Sequence, residues 1–271
     1  MNLKLTNRQS DILSKMNNEG RVDVDLLASI YCVTTQTIRR DLNEICQKGF
    51  ASRIHGGAIP AISVSNVDYE RRRGIANIEK TQIARTTAGL IPNNCSVILN
   101  IGTTTEHVAH SLFRHSGLVV ISNNINVIRA LSGSIQKQLI LVGGAVRQSD
   151  GAIIGGEAVE FIGKYKADYA CIGASAIDED GSILDHDSRE VAVAHAILSN
   201  ARTKILVCDS LKFKARAPVR ICDIGELDYL ITDAEVPRCF KEIAEKKGTS
   251  IIYSREEKLH KHQNEQKNYL V

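Results

Sequence analysis

Three stretches of this 271-residue sequence carry side chains whose types and spacing suit chemistry. In "LNIGTTTEHVAHSL", Gly102 and Thr103, Thr104 and Thr105 stand between an apolar run and a helical pattern. Glycine lets the backbone turn closely. Threonine hydroxyls beside the free N–H groups of a helix start suit an anion, and a phosphate monoester best. The same residues also read as a plain helix cap. "ILDHDSREVAVAHAIL" sets Asp185, Asp187 and Glu190 before another helical pattern. Carboxylates repel phosphate and accept hydrogen bonds from hydroxyl groups, so they serve the far end of a phosphorylated ligand. Asp187 with Glu190 three residues on is equally the spacing of a capping box.

The third stretch is "VTTQTIRRDL", Val33 to Leu42. With Val33, Ile38, Leu42 and Ile45 as the buried side of a helix, Thr35, Gln36, Arg39, Arg40 and Asn43 fall largely on the open side, with Thr37 in the first turn. Thr34 caps the amino end. Backbone N–H groups, hydroxyls, an amide and guanidinium groups at one helix end are what phosphate oxygens and base edges of a major groove require. Arg53 and His55, in "GFASRIHGGA", sit where a β-ribbon wing would reach the DNA. The plain alternative is a solvated helix, because Arg40 with Glu44 and Glu44 with Lys48 are both i, i+4.

The elements that must hold these groups differ along the chain. Up to about residue 60 the pattern is helical. "TNRQ" at Thr6 to Gln9 fits a capping box, and Ile12, Leu13 and Met16 follow at helical spacing. A second helix carries Leu26, Leu27, Ile30 and Tyr31, and a ribbon turns at Gly56–Gly57. Seven short apolar runs then follow, at 96–101, 117–122, 138–142, 168–173, 204–208, 227–232 and 249–253. Helical patterns separate most of them, which predicts a mostly parallel sheet covered by helices. The expected division is a winged helix-turn-helix over 1–58, a linker over 59–76, an α/β domain over 77–253 and a polar tail over 254–271. Arg71 to Arg73 in the linker read as a solvated face rather than a phosphate contact.

Further polar groups fall at the carboxyl ends of the expected strands, where open α/β sheets bind ligands. "ISNN" delivers Asn123 and Asn124, "LVGG" delivers Gly143 and Gly144, and "CIGAS" delivers Gly173. Each also reads as turn chemistry. Lys212 in "CDSLKFKARA" either neutralises a phosphate or lies along the surface.

Composition narrows the classes. Hydrophobic residues make up 43% and charged residues 24%, and the net charge is +3, too mild to announce nucleic acid by itself. Seven scattered cysteines without C-x-x-C argue against disulfides and zinc. No cofactor is expected, and His107 and His110 lack the companions of a metal site. No apolar run is long enough to span a bilayer, and a cytoplasmic protein is expected.

Arg8, Ile12 and Met16 followed by "TTQTIRRDL" resemble the helix-turn-helix signature of DeoR-type bacterial repressors, and "RIHGGA" resembles the segment after it. The resemblance runs on through "IGTTTEHVAHSL", "ISNNINV", "LVGGAVR", "DGAIIGGEAVEFI", "IGASAIDEDGSILD" and "CDSLKF". It implies a homo-oligomer, dimer or tetramer, that binds double-stranded operator DNA and is released by a phosphorylated small-molecule effector, glycerol 3-phosphate foremost. It also implies a second domain like ribose-5-phosphate isomerase. Phosphate would then lie at Gly102 to Thr105, with Asn123, Asn124, Gly143, Gly144, Asp187, Glu190 and Lys212 around the ligand. The family's D-[FY]-x-E pattern is not kept, since Asp187-Ser188-Arg189-Glu190 has no aromatic. A sugar-phosphate isomerase, with Asp187 or Glu190 as base, is the enzyme alternative. It leaves the helix-turn-helix unexplained. A pure dimerisation scaffold leaves the strand-end polar groups without a task.

Overall fold

The computed structural model describes residues 5–19, 21–48, 50–54, 56–60, 69–134 and 136–254. His55 and the tail beyond Ser254 lie outside the described residues. The chain divides into two compact units, Met1–Ser65 and Asn66–Val271.

In the first unit, α1 (Asn7–Glu19) starts on a reciprocal cap. Thr6 Oγ1 accepts from Gln9 N at 3.3 Å and Gln9 Oε1 accepts from Thr6 N at 3.1 Å. After β1 (Val22–Asp23), the Asp23 carboxylate caps α2 (Val24–Ile30), and Thr34 Oγ1 caps α3 (Thr35–Gln47) by accepting from Thr37 N at 3.2 Å. β2 (Ala51–Ile54) and β3 (Gly57–Pro60) form the ribbon, and β1 joins its β3 edge. Gly56 has φ +77°, and a Cβ on Gly57 would stand 2.0 Å from Val22 O, so the turn and the close crossing both require glycine.

The core of this unit is Ile12, Leu13, Met16, Leu27, Ile38, Leu42 and Ile45, packed with residues of the ribbon. The expected stripe on the second helix is corrected. Leu27 is buried, but Leu26 is 53% and Ile30 47% exposed. α2 is only seven residues long and buries Val24, Leu27 and Ala28, an i, i+3, i+4 set that turns Leu26 and Ile30 outward.

The second unit begins with α4 (Tyr69–Gly74), inside the stretch read as linker, and α5 (Asn77–Leu90). Alternation follows through β4 (Ser96–Leu99), α6 (Thr103–Ser111), β5 (Leu118–Ser122), α7 (Ile125–Leu131) and β6 (Lys137–Leu141). A hairpin of β7 (Val146–Arg147) and β8 (Ala152–Ile153) leads to α8 (Gly156–Ile162) and β9 (Ala167–Ile172). Then come β10 (Ala176–Ile177), β11 (Ser182–Asp185), α9 (Ser188–Ser199), β12 (Ala201–Val207) and β13 (Val219–Asp223). β14 (Tyr229–Thr232), α10 (Arg238–Lys247) and β15 (Ser250–Tyr253) complete the described chain.

The seven apolar runs are the seven strands of one parallel sheet, in order β15-β14-β12-β9-β4-β5-β6. Alternate residues face opposite layers. Val97 and Leu99 pack with Ile83, Val108 and Val127 of α5, α6 and α7. Ile98 packs on the other side with Ile162, Ala194 and Phe240 of α8, α9 and α10. Beside this sheet, β10, β11 and β13 form an antiparallel set, and "DEDG" at Asp178 to Gly181 is the turn between β10 and β11. A strand order that runs β4-β5-β6 to one side and β9-β12-β14-β15 to the other reverses between β4 and β9. A crevice opens at such a reversal, beyond the carboxyl ends of the strands.

Leu42 is fully buried in a small core. Leu42→Ala should destabilise the first unit by about 2–5 kcal/mol. Urea unfolding followed by amide exchange should show early loss of protection in α1 to α3 and little change in the sheet. Uniform loss across the chain would contradict two separate cores.

Candidate functional site

On the first unit, α3 presents Gln36, Arg39, Arg40 and Asn43 as exposed side chains, with Thr35 and Thr37 half-buried beside them. Gln36, Thr37, Arg39, Arg40 and Asn43, together with Thr34 and Gln47, line one side of an open cleft. Arg40 Nε lies 3.3 Å from Glu44 Oε1, and the arginine side chain is 83% exposed. Such a pair contributes little and leaves the guanidinium ready for a stronger anion. The opposite edge of α3 is locked instead. Buried Asp41 accepts from Arg8 Nε at 2.6 Å and from Gln9 Nε2 at 3.3 Å. α1 therefore fixes the orientation of α3 through a charged contact as well as through the core. Arg53 is exposed on β2.

On the second unit, a cavity sits at the order reversal. Asn100, Ile101 and Gly102 enter it from the end of β4, and Gly173, Ala174 and Ser175 from the end of β9. Asn124, Asp150, Asp185 and Glu190 also line it, as do Tyr69 and Arg72 of α4. Gly102 has φ +138° and carries the chain into α6. Thr105 Oγ1 donates to Gly102 O at 2.7 Å, which holds the turn. Thr103 and Thr104 are 7% and 6% exposed, in the first turn of α6 whose N–H groups have no partner within the helix.

The acidic side is organised by one arginine. Arg147 grips Asp150 with two hydrogen bonds, Nε to Oδ1 at 2.8 Å and Nη2 to Oδ2 at 2.5 Å. Its Nη1 lies 2.6 Å from Glu190 Oε1 and 3.7 Å from Asp187 Oδ2. That Glu190 oxygen is buried against Arg147 and has no further hydrogen-bond donor among the described residues. Burial pushes the Glu190 carboxyl above the usual range, the charge of Asp185 adds to this, and Arg147 opposes it. Asp187 goes the other way, held below the usual range chiefly by hydrogen bonds from Arg189. Asp187 is the cap of α9, accepting from Arg189 N at 2.8 Å, while the Glu190 side chain turns to Arg147 instead of completing a capping box.

Behind Gly102, buried Glu106 receives Tyr69 Oη at 2.7 and 2.8 Å, Asn124 Nδ2 at 3.4 Å and Asn126 Nδ2 at 3.3 Å. Burial raises its carboxyl above the usual range, and the bonds from Tyr69 and Asn126 pull it back. Lys80 of α5 is 2% exposed and donates to Arg72 O at 2.5 Å and Ile75 O at 2.7 Å. Burial draws its ammonium from 10.5 down to about 8, against the opposing pull of Asp209. α4 is thus pinned at both ends, through the Tyr69 hydroxyl and through its last carbonyls.

Of the residues singled out by sequence, Gly102, Asn124, Gly173, Asp185 and Glu190 meet in the cavity, with Thr103 to Thr105 in the turn beside it. Asn123 is buried, and its Nδ2 donates to Ile153 O at 3.1 Å. Asp187, Gly143, Gly144 and Lys212 are not among the lining residues. A Cβ on Gly144 would stand 2.8 Å from Ile153, so this glycine serves the packing of the hairpin. Tyr69, Asn100, Asp150 and Ser175 line the cavity without having been singled out, and Glu106 and Arg147 support it from behind; Arg72, read as part of a solvated face, is corrected, since it lines the cavity with its Nε buried. Arg147 lies inside "LVGGAVR", where only the glycines suggested a turn. Asn100 stands directly after an apolar run, a signal of the same kind as Asn123. Tyr69 and Arg72 lay in an apparent linker.

Residues 8–63 match the DeoR-like helix-turn-helix domain and residues 76–234 match the DeoR C terminal sensor domain. The chain belongs to the DeoR family. Among its relatives, the glycerol-3-phosphate regulon repressor of Escherichia coli is 39% identical over 87% of this chain and 93% of that protein. The glycerol-3-phosphate regulon repressor of Haemophilus influenzae is 36% identical over 92% and 97%, and the E. coli repressor CsqR is 33% identical over 92% and 96%. This DeoR-family chain is accordingly a transcriptional regulator and not an enzyme. Among solved structures, ribose 5-phosphate isomerase from Plasmodium falciparum aligns at 13% identity over 52% of each chain, with a TM-score of 0.36. eIF2B beta from Chaetomium thermophilum aligns at 18% over 57% of this chain and 48% of that one, with a TM-score of 0.42. Both likenesses are distant.

The buried lysine has a measurable consequence. Between pH 8 and 10.5 the unfolded chain keeps a proton on Lys80 that the folded chain has released. Stability should therefore rise with pH across this window, by at most about 1.4 kcal/mol per unit. Urea titrations from pH 7.5 to 10 should show that component in the native protein and not in Lys80→Met. Parallel pH profiles would remove Lys80 as its source.

Proposed function

We infer that this protein represses a carbohydrate or glycerol catabolic operon in the bacterial cytoplasm, bound to double-stranded operator DNA as a homo-oligomer, dimer or tetramer. Gln36, Arg39, Arg40 and Asn43 of α3, with Thr35 and Thr37 at its start, read the major groove. Arg53 contacts the backbone from the ribbon, and His55 is assigned there on sequence alone. The observation that supports this is the division of α3 into a face locked by Asp41 and the core and a face of exposed donors. Symmetric half-sites would mirror a protein two-fold.

The ligand that releases the DNA is a small phosphorylated polyol, and glycerol 3-phosphate is the first candidate. The cavity supports this by its polarity. Its Gly102 end has a glycine turn, and the first turn of α6, with its N–H groups and Thr103 and Thr104, follows directly beside it. Its other end offers Asp150, Asp185 and Glu190 as acceptors for hydroxyl groups. The names of two relatives carry the same metabolite. Gly143, Gly144, Asp187 and Lys212 stay outside the lining and are assigned supporting places around it.

Two experiments test the halves separately. Arg39→Ala/Arg40→Ala should cost operator binding about 1–3 kcal/mol for each arginine that reads a base, with relaxed sequence preference. Gel-shift titration at fixed salt measures it, and wild-type affinity would take α3 off the DNA. For the effector, Thr104→Val should weaken all phosphorylated ligands, whereas Glu190→Gln should alter the ranking of glycerol 3-phosphate against fructose 1-phosphate and ribose 5-phosphate. Calorimetry decides. If a larger sugar phosphate binds ten times more tightly, about 1.4 kcal/mol, the choice of metabolite is wrong. If no phosphorylated compound binds, the sensor reading is wrong as a whole.

A further inference from the structure

We propose that Arg72 is the counter-charge of the effector's phosphate, and that by sitting on α4 it links occupancy of the cavity to the segment that leads to the DNA-binding unit. The proposal rests on the effector reading above and names the residue that reading lacks. A phosphate dianion in a half-enclosed cavity needs a cation, because hydroxyls and N–H groups alone leave much of its charge uncompensated.

Among the described residues, the other cations near the site are engaged or misplaced. Arg147 is bonded to Asp150 and ion-paired with Glu190, on the acidic side. The Lys80 amine is buried and donates to the carbonyls of Arg72 and Ile75. Lys212 does not line the cavity. Arg72 does line it, with Gly102, and its Nε is buried without a hydrogen-bond partner among the described residues. A buried guanidinium N–H left unpaired is costly and rare in a native fold. An anion at the Gly102 turn would satisfy it. Asp150, Asp185 and Glu190 also line the cavity, and Glu190 is near enough to feel the Arg72 charge, yet Nε has no hydrogen bond to any of them.

The support of Arg72 is as unusual as the side chain. Its backbone carbonyl is held by Lys80, and one helical turn earlier Tyr69 is held by Glu106 and Asn126. α4 begins shortly after Ser65, where the first compact unit ends. A phosphate that draws the guanidinium inward pulls on a short helix whose two anchors are polar. Polar anchors re-form at a new register more readily than an interdigitated apolar core does.

The test uses the full-length repressor with glycerol 3-phosphate, inorganic phosphate and glycerol as probes. Arg72→Gln should bind glycerol 3-phosphate ten- to a hundredfold more weakly, and Arg72→Lys, which keeps the charge, should lose less. Glycerol affinity should not separate the three proteins. At saturating glycerol 3-phosphate, the operator should be released less completely from Arg72→Gln than from wild type. Circular dichroism of each variant checks the fold, and Arg72→Lys carries the test if the glutamine variant fails to fold. Affinity within twofold of wild type for both variants overturns the proposal, and if Thr104→Val is weakened in the same series the phosphate reading survives without it. Full release of Arg72→Gln at saturation overturns the link through α4. Failure of the wild-type protein to bind any of the phosphorylated probes defeats both readings together.

Discussion

The reversal of strand order between β4 and β9 is the constraint on which the rest of the second unit depends. Parallel strands need crossovers, and each crossover places a helix on one layer or the other. Where neighbouring strands send their crossovers to opposite layers, no helix covers the gap between their carboxyl ends. Asn100 to Gly102 and Gly173 to Ser175 occupy that gap because they follow β4 and β9 immediately. The apolar sheet thereby fixes backbone positions at the site, while the polar groups of the site stay out of the core. A change in Val97 or Cys171 would be felt in stability first, and in the cavity only through the strand ends.

Within that frame, charge is separated at a cost. Three carboxylates, Asp150, Asp185 and Glu190, line one small cavity, and burying such charges is expensive without partners. Arg147 compensates part of it, and Ser175 Oγ donates to Asp185 at 2.8 Å. Among the described residues, Glu190 has no hydrogen-bond donor beyond its ion pair with Arg147, and Arg72 Nε has no acceptor, although the Arg72 charge acts on Glu190. A donor-rich hydroxyl end and an anionic end are complementary to those two residues respectively. A ligand with both kinds of group would complete a polar network that the protein leaves open at these two residues, and complete networks are favoured over partial ones.

How much of this was legible in the sequence follows from the kind of signal each feature leaves. All seven sheet strands were visible because each is a run rich in Val, Ile and Leu, set between helices on both layers. The helix start at Gly102 and the caps at Thr6, Thr34 and Asp187 were visible because capping is a local matter of one or two residues. Two-residue strands such as β7 and β10 leave no period to detect. α2 misled because its apolar residues fit two different faces of a seven-residue helix, and tertiary packing chose the one through Val24, Leu27 and Ala28. Tyr69 and Arg72 were hidden for a different reason. A six-residue helix has no repeat, and an arginine run looks solvated until a long-range neighbour shows otherwise. Arg147 is the same case: its partners Glu190 and Asp187 are distant in sequence, and no spacing rule connects them.

The size of the coupling that a repressor requires bears on where it resides. An effector shifts an equilibrium only by its differential affinity for the two states, and such couplings are on the order of 1–3 kcal/mol. Rearranging a packed core such as that around Ile98 and Phe240 costs several kcal/mol for each large side chain disturbed, which exceeds what one small ligand supplies. A hydrogen bond to a charged group contributes about 1.5–3 kcal/mol. The bonds of Tyr69 to Glu106 and of Lys80 to Arg72 O are of that kind. Forming one ion pair at Arg72 while straining one of these bonds is therefore matched in magnitude to the signal. The apolar layers are too stiff to carry it, and the exposed surface pairs, such as Arg40 with Glu44, are too weak. α4 lies between those limits, and it is the described element of the second unit that comes first after the DNA-binding unit.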